Sequence, residues 1–133
     1  MPLIRAAGLS DVAEYAYAAA VDVPSRVVFT AGACPLDADG VTVCPGDYVG
    51  QARQVMANLT VALDSAHARL SDVVKTTVYV ASADQLDLGA VWGVVRDAFG
   101  DHDPPSTLLG VTVLGYDDQL VEVEAVAAVP ARR

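Results

Sequence analysis

Two stretches of this chain repeat apolar residues at the period of an α-helix, and one strong strand lies between them. Tyr48, Ala52, Val55, Met56, Leu59, Leu63 and Ala66 mark the first, over residues 47–69. Leu88, Val91, Trp92, Val95 and Phe99 mark the second, over residues 85–99. Each stripe covers about one face, so each helix must bury that face against a partner, most simply a sheet. Asp47 and Asp84 stand where N-caps belong, and Gly100 suits a stop. Arg53, Asn58, Asp64 and Arg69 are expected to face outward from the first helix. The β-branched run at residues 73–80 is the strand between them.

Shorter strands are expected at residues 15–21, where the alanines are equally compatible with helix, and at 26–30. A turn is expected at 37–40, and residues 108–114 and 119–129 read as a final hairpin pair around a turn at 115–118. No linker, repeat or low-complexity tract divides the chain, so residues 1–133 read as a single domain. The fold class is α+β, a mixed sheet with both helices packed on one face.

Charge then narrows the function. Seventeen acidic residues against eight basic ones leave a net charge of −9. Nucleic acid and anionic membrane surfaces are poor partners for such a chain, because both are recognised by clustered Lys and Arg. No apolar run reaches the roughly 18 residues that a spanning helix needs. The N-terminus lacks the basic-then-apolar pattern of a signal peptide, and a cytoplasmic location is expected. Cys34 and Cys44 form no Cys-x-x-Cys pair, and His67 and His102 stand alone, so no metal site is expected.

A few residues could carry chemistry. Glu122 and Glu124 lie two apart in the last strand, so their carboxylates share one face. That spacing fits a solvated edge strand. The less favoured reading is a carboxylate in apolar surroundings, where a raised pKa suits general acid–base work. Gly32, Ala33 and Cys34 form a small-residue loop past a strand end, with Gly32 expected to permit close backbone approach or positive φ. Cys34 fits a small buried hydrophobe better than a reactive thiol, since no basic residue is near in sequence. Ser106 and Thr107 follow the stiff Pro104-Pro105 pair and can hydrogen-bond a ligand or cap a turn. No nucleophile elbow, phosphate loop or dinucleotide fingerprint is present.

The run Gln51-Ala52-Arg53-Gln54-Val55-Met56-Ala57-Asn58-Leu59, the run Leu70-Ser71-Asp72-Val73-Val74-Lys75-Thr76-Thr77-Val78-Tyr79-Val80, and Val121-Glu122-Val123-Glu124-Ala125-Val126-Ala127 resemble the Rid (YjgF) family in order and spacing. The likeness spans roughly residues 10–129. It implies a fold like the chorismate mutase of bacilli and a homotrimer with small-molecule clefts between subunits. It also implies cofactor-free hydrolysis of reactive enamines and imines to 2-oxo acids and ammonia.

Carried over by position, the family's water-activating Glu is Glu122 and its N-terminal Tyr is Tyr15. Its small-residue loop is Gly32-Ala33-Cys34, without the usual Ser and Gln. The family's carboxylate-binding Arg falls on Thr107, and a family Cys falls on Leu109. Arg pairs with carboxylates through a planar two-pronged fit that Thr lacks. The expectation is therefore a divergent enzyme for a neutral or larger imine, enamine or related carbonyl compound, rather than a simple 2-imino acid. Ser106 and Thr107 would bind it, and Leu108, Leu109 and Trp92 would make the cleft more apolar. A non-catalytic trimer that binds a small molecule or a partner protein in the same clefts is the alternative. A ribonuclease role, an older label in the family, fits poorly with a charge of −9.

Overall fold

A computed structural model describes residues 2–131. In chain order the elements are β1 (Leu3–Ile4), β2 (Ala18–Ala19), β3 (Ser25–Phe29), α1 (Tyr48–Ser65), β4 (Val73–Val80), α2 (Gln85–Phe99), β5 (Ser106–Gly110) and β6 (Val121–Pro130). Both N-caps work as expected: Asp47 accepts the Gly50 amide at 3.0 Å and Asp84 accepts the Leu86 amide at 2.9 Å. α2 keeps its expected bounds, with Gly100 beyond it at φ 65°. α1 closes at Ser65, short of residue 69. There His67 takes φ 58° while the Ala68 amide returns to the Leu63 carbonyl at 2.9 Å. That left-handed closing turn normally announces itself by a glycine. A histidine fills it here, so the sequence carries no stop signal.

The main sheet has the order β3-β6-β4-β5. β4 and β5 run parallel across the α2 crossover, while β6 is antiparallel to both β3 and β4. The sheet is thus mixed and α1 and α2 lie together on one face, as the sequence indicates. The expected final hairpin is corrected. β5 and β6 are not neighbours, because a strand–helix–strand unit returns β5 parallel beside β4 and leaves the other edge of β4 for β6. The expected strand over 15–21 also shrinks, to Ala18–Ala19 paired with Leu3–Ile4 in a separate two-stranded ribbon.

The core lies between helices and sheet. Val55, Leu59 and Leu63 of α1 and Val91 and Val95 of α2 pack on Val78 and Val80 of β4 and on Val121 and Val123 of β6, all fully buried. Each such side chain contributes roughly 1.5–3 kcal/mol by leaving water. Because strand side chains alternate, the register assigns Val27 and Phe29, Lys75, Thr77 and Tyr79, Thr107 and Leu109, and Glu122, Glu124 and Val126 to the opposite, outer face.

Candidate functional site

β6 is an inner strand of the sheet, so its outer-face carboxylates sit among neighbours rather than on a free edge. Glu122 Oε1 accepts a hydrogen bond from Gln119 Nε2 at 3.0 Å and one from the Cys34 thiol at 3.3 Å. Gly32 lies under the same carboxylate: a Cβ there would stand 2.2 Å from Glu122 Oε2. Close approach, not positive φ, is therefore what the glycine provides. Ala33 fixes the loop to β6 through paired amide bonds with Val123, at 2.7 and 3.2 Å. Burial, and then its bond to Glu122, push the Cys34 thiol up to about 11. Glu124 faces Tyr79, whose hydroxyl it accepts at 2.5 Å; that bond raises the tyrosine above its ordinary value.

Two side chains of α1 hold the segments that flank Glu122. Gln51 is fully buried; its Nε2 donates to the Asp118 carbonyl at 2.8 Å and its Oε1 accepts the Leu120 amide at 2.7 Å. The turn that carries Gln119 is thereby set. Asn58, two helical turns on and so on the same face, donates to the Cys34 carbonyl at 2.8 Å and the Leu36 carbonyl at 2.9 Å. The expectation that Asn58 faces outward is corrected: it is half-buried, because the loop carbonyls need its two N–H groups.

The other expected site residues gather elsewhere. Ala13, Tyr15, Trp92, Ser106, Thr107 and Leu108 line a pocket of about 340 Å³ beside β5, an edge strand. Trp92 Nε1 donates to the Ala13 carbonyl at 3.1 Å, and Arg96, one turn along α2, reaches Glu14 at 3.2 Å. Those two grips seat Tyr15 with its ring edge-on to Trp92, centroids 6.1 Å apart. Ser106 points toward the helices, donating to the Pro104 carbonyl at 3.0 Å and meeting Thr76 Oγ1 at 2.5 Å. Thr107 is on the outer face. Leu109 is on that face too, across Tyr79 from Glu122.

The chain thus brings Gly32, Ala33, Cys34 and Glu122 together, and separately Tyr15, Trp92, Ser106 and Thr107. Two strand spacings, roughly 10 Å, separate β6 from β5. Two residues missed by sequence reasoning belong to these groups. Gln119 is 5% exposed and orients Glu122, yet in sequence it reads as turn polarity. Lys75 Nζ donates to Thr107 Oγ1 at 2.7 Å, so a cation stands at Thr107 after all, supplied by the neighbouring strand. Among the described residues no three His, Cys, Asp or Glu side chains cluster as a metal ion would require, and no helix is long and apolar enough to cross a membrane.

Comparison with known proteins identifies the family and the fold. The family model described as endoribonuclease L-PSP matches residues 9–129. A RutC family protein of Pyrococcus abyssi is 34% identical over 111 residues, covering 84% of each chain. The mouse protein named 2-iminobutanoate/2-iminopropanoate deaminase is 33% identical, over 84% of this chain and 79% of its own. Among solved structures, the Rid-family protein YyfB of Yersinia pestis superposes with a TM-score of 0.89 at 27% identity, covering 96% of this chain and 98% of that one. The YjgF gene product of Escherichia coli gives 0.67 at 29% identity, over 98% and 94%. Sequence blocks, sheet order and these matches together establish that the chain belongs to the Rid (YjgF) family.

Proposed function

We propose that this protein hydrolyses a small imine or enamine, with Glu122 as the proton-transferring group and no cofactor. The observation that carries the reading is the setting of Glu122. Gln119 and Cys34 hold Oε1, while Oε2 accepts no hydrogen bond among the described residues and lies over Gly32. A carboxylate fixed by one oxygen, with no donor on the other among the described residues, suits a general base. The relatives named as 2-iminobutanoate/2-iminopropanoate deaminases support the reaction class.

In the proposed reaction water adds across the C=N bond. Glu122 takes one proton from the water as its oxygen bonds to carbon, and the π pair moves to nitrogen. Nitrogen gains that proton, giving a carbinolamine. The hydroxyl proton then passes to the amine, the C–N bond breaks, the carbonyl forms and ammonia leaves. An enamine enters the same path once carbon gains a proton and nitrogen loses one, which gives the imine.

The proposed assembly is the trimer typical of the family. Its clefts would join the Glu122 group of one subunit to the Tyr15–Trp92 pocket of the next. Tyr15 would then present its hydroxyl to the substrate, and Trp92, Leu109 and the Gly32-Ala33-Cys34 loop would form the walls. Thr107 in place of an arginine removes the planar carboxylate clamp, so the substrate range is expected to diverge from that of the deaminases.

The test is ammonia and carbonyl-product release from imines generated in situ. The panel would pair 2-imino acids with their amides and use wild type and Glu122→Gln. Turnover should fall at least ~100-fold in Glu122→Gln, the scale of a lost acid–base group. Full activity in that variant would remove Glu122 from the mechanism. No turnover by wild type would leave a binding protein.

A further inference from the structure

Tyr17, Tyr15 and Trp92 form a row of three rings beside the edge strand β5. Ring centroids are 5.3 Å apart for Tyr17 and Tyr15 and 6.1 Å apart for Tyr15 and Trp92. Both ends of the row are tethered. Trp92 Nε1 donates to the Ala13 carbonyl at 3.1 Å, and the Tyr17 hydroxyl donates to the Ser10 carbonyl. The polar side chains of the pocket beside Trp92 are turned elsewhere. Ser106 Oγ donates to the Pro104 carbonyl at 3.0 Å and meets Thr76 Oγ1 at 2.5 Å. The register sends the Thr107 side chain to the outer face, where its oxygen accepts from Lys75 at 2.7 Å. Toward the pocket there remain the Tyr15 and Trp92 rings and the side chains of Ala13 and Leu108.

We infer that this pocket is a substituent subsite: it holds a flat apolar group, such as a phenyl ring, carried near the C=N carbon of the substrate, and Trp92 sets that preference. The indole N–H is consumed within the chain, so Trp92 offers a guest only apolar surface. A polar substituent would leave water for ring and aliphatic walls, which is costly, whereas an apolar one gains by the same transfer. A flat group is favoured over a branched one by the walls themselves. Tyr15 and Trp92 stand at 82°, edge to face, and a third ring extends that arrangement. Because both ends of the row are tethered, little ordering is left to do when the guest arrives. The volume of about 340 Å³ lies at the lower end for ligand pockets, so it suits one ring rather than a long chain.

The subsite rests on the proposed hydrolase reading, and a binding arm separates the two. Phenylacetamide and propanamide are stable and uncharged, and they differ by phenyl against methyl. Trp92 is the chain's single tryptophan, so its indole N–H gives one NMR cross-peak that reports on the pocket. Wild type should bind phenylacetamide at least ~10-fold more tightly than propanamide, with that peak shifting on titration. Backbone amide shifts follow the same titrations in Trp92→Ala and Trp92→Phe, with folding checked by circular dichroism. The preference should shrink below ~3-fold in Trp92→Ala and largely return in Trp92→Phe, which restores a ring. In turnover assays an amine oxidase makes the imines of phenylacetaldehyde and propanal in situ from 2-phenylethylamine and propylamine. The ratio of their kcat/KM values should favour the phenyl compound in wild type and fall in Trp92→Ala. Phenyl-selective, Trp92-dependent binding without turnover of either imine would uphold the subsite and defeat the hydrolase. Turnover with no preference for phenyl would do the reverse. Equal or absent binding of the two amides, or phenylacetamide binding that leaves the indole peak unmoved, would overturn the subsite in wild type alone, whether or not the variants fold.

Discussion

Cys34 donates its S–H to a carboxylate, and that single contact decides what the thiol does. A thiolate beside Glu122 would be repelled and poorly hydrated, so the proton stays on sulfur up to about pH 11. At pH 8 only about one thiol in a thousand is then ionised, and nucleophilic sulfur chemistry requires the thiolate. Cys34 acts as a hydrogen-bond donor that orients Glu122. The prediction is a contrast within the chain. Iodoacetamide at pH 8 should label exposed Cys44 readily and Cys34 at least ~10-fold more slowly, with Cys34 labelling still rising between pH 9 and 11. Peptide mass spectrometry over a pH series reads both sites. Equal rates at pH 8 would mean that the Cys34–Glu122 bond does not hold in solution. At this scale the sequence was partly legible. Glu122 and Gly32 could be singled out because strand alternation and glycine chemistry are local. Gln119 and Lys75 could not, since their partners, Glu122 and Thr107, are set by a turn and by cross-strand register.

α1 links core packing to the site through two amides on one face. Its apolar stripe settles on β6, and Gln51 and Asn58 reach past that stripe to the turn before β6 and to the loop after β3. Gln51 has no solvent contact, yet both its ends are satisfied by backbone groups. Gln51→Leu should therefore leave the Leu120 amide and the Asp118 carbonyl unpaired, at a cost of about 1–3 kcal/mol for each group that stays buried. Denaturant titration should show the loss, and ammonia release should fall because Gln119 and Glu122 lose their register. A stable variant with unchanged turnover would show that the turn sets itself without α1. Helix identity and caps were readable from periodicity and from Asp47 and Asp84. The strand neighbours of β5 and β6 were not, because adjacency in sequence favours a hairpin while the α2 crossover forces a parallel return beside β4. Asn58 was misread for a related reason: a polar residue on a helix looks solvated until a loop with free carbonyls is laid against it.

In the whole molecule the helices cover one sheet face and leave the other without a helix, with its β3 end exposed. Phe29 is 76% exposed and Val27 53%, side by side on β3 with Val126 of β6 opposite Phe29. An apolar outer face next to the Glu122 and Lys75 groups is what a subunit contact needs, and it is consistent with the proposed trimer. Burying one phenylalanine contributes roughly 1.5–3 kcal/mol, and a carboxylate in its place would cost several kcal/mol on burial. Light scattering should give wild type about three times the 13.8 kDa of the chain, and Phe29→Asp the mass of a single chain with its circular dichroism retained. Because β5, which carries Thr107, lies two strand spacings, roughly 10 Å, from β6, which carries Glu122, the monomer should hold both halves of the site and join neither. Ammonia release should then fall at least ~10-fold, although no residue of either half has been changed. A monomeric Phe29→Asp protein with full turnover would show that one chain completes the site by itself. A variant that stays trimeric would place the subunit contact away from β3.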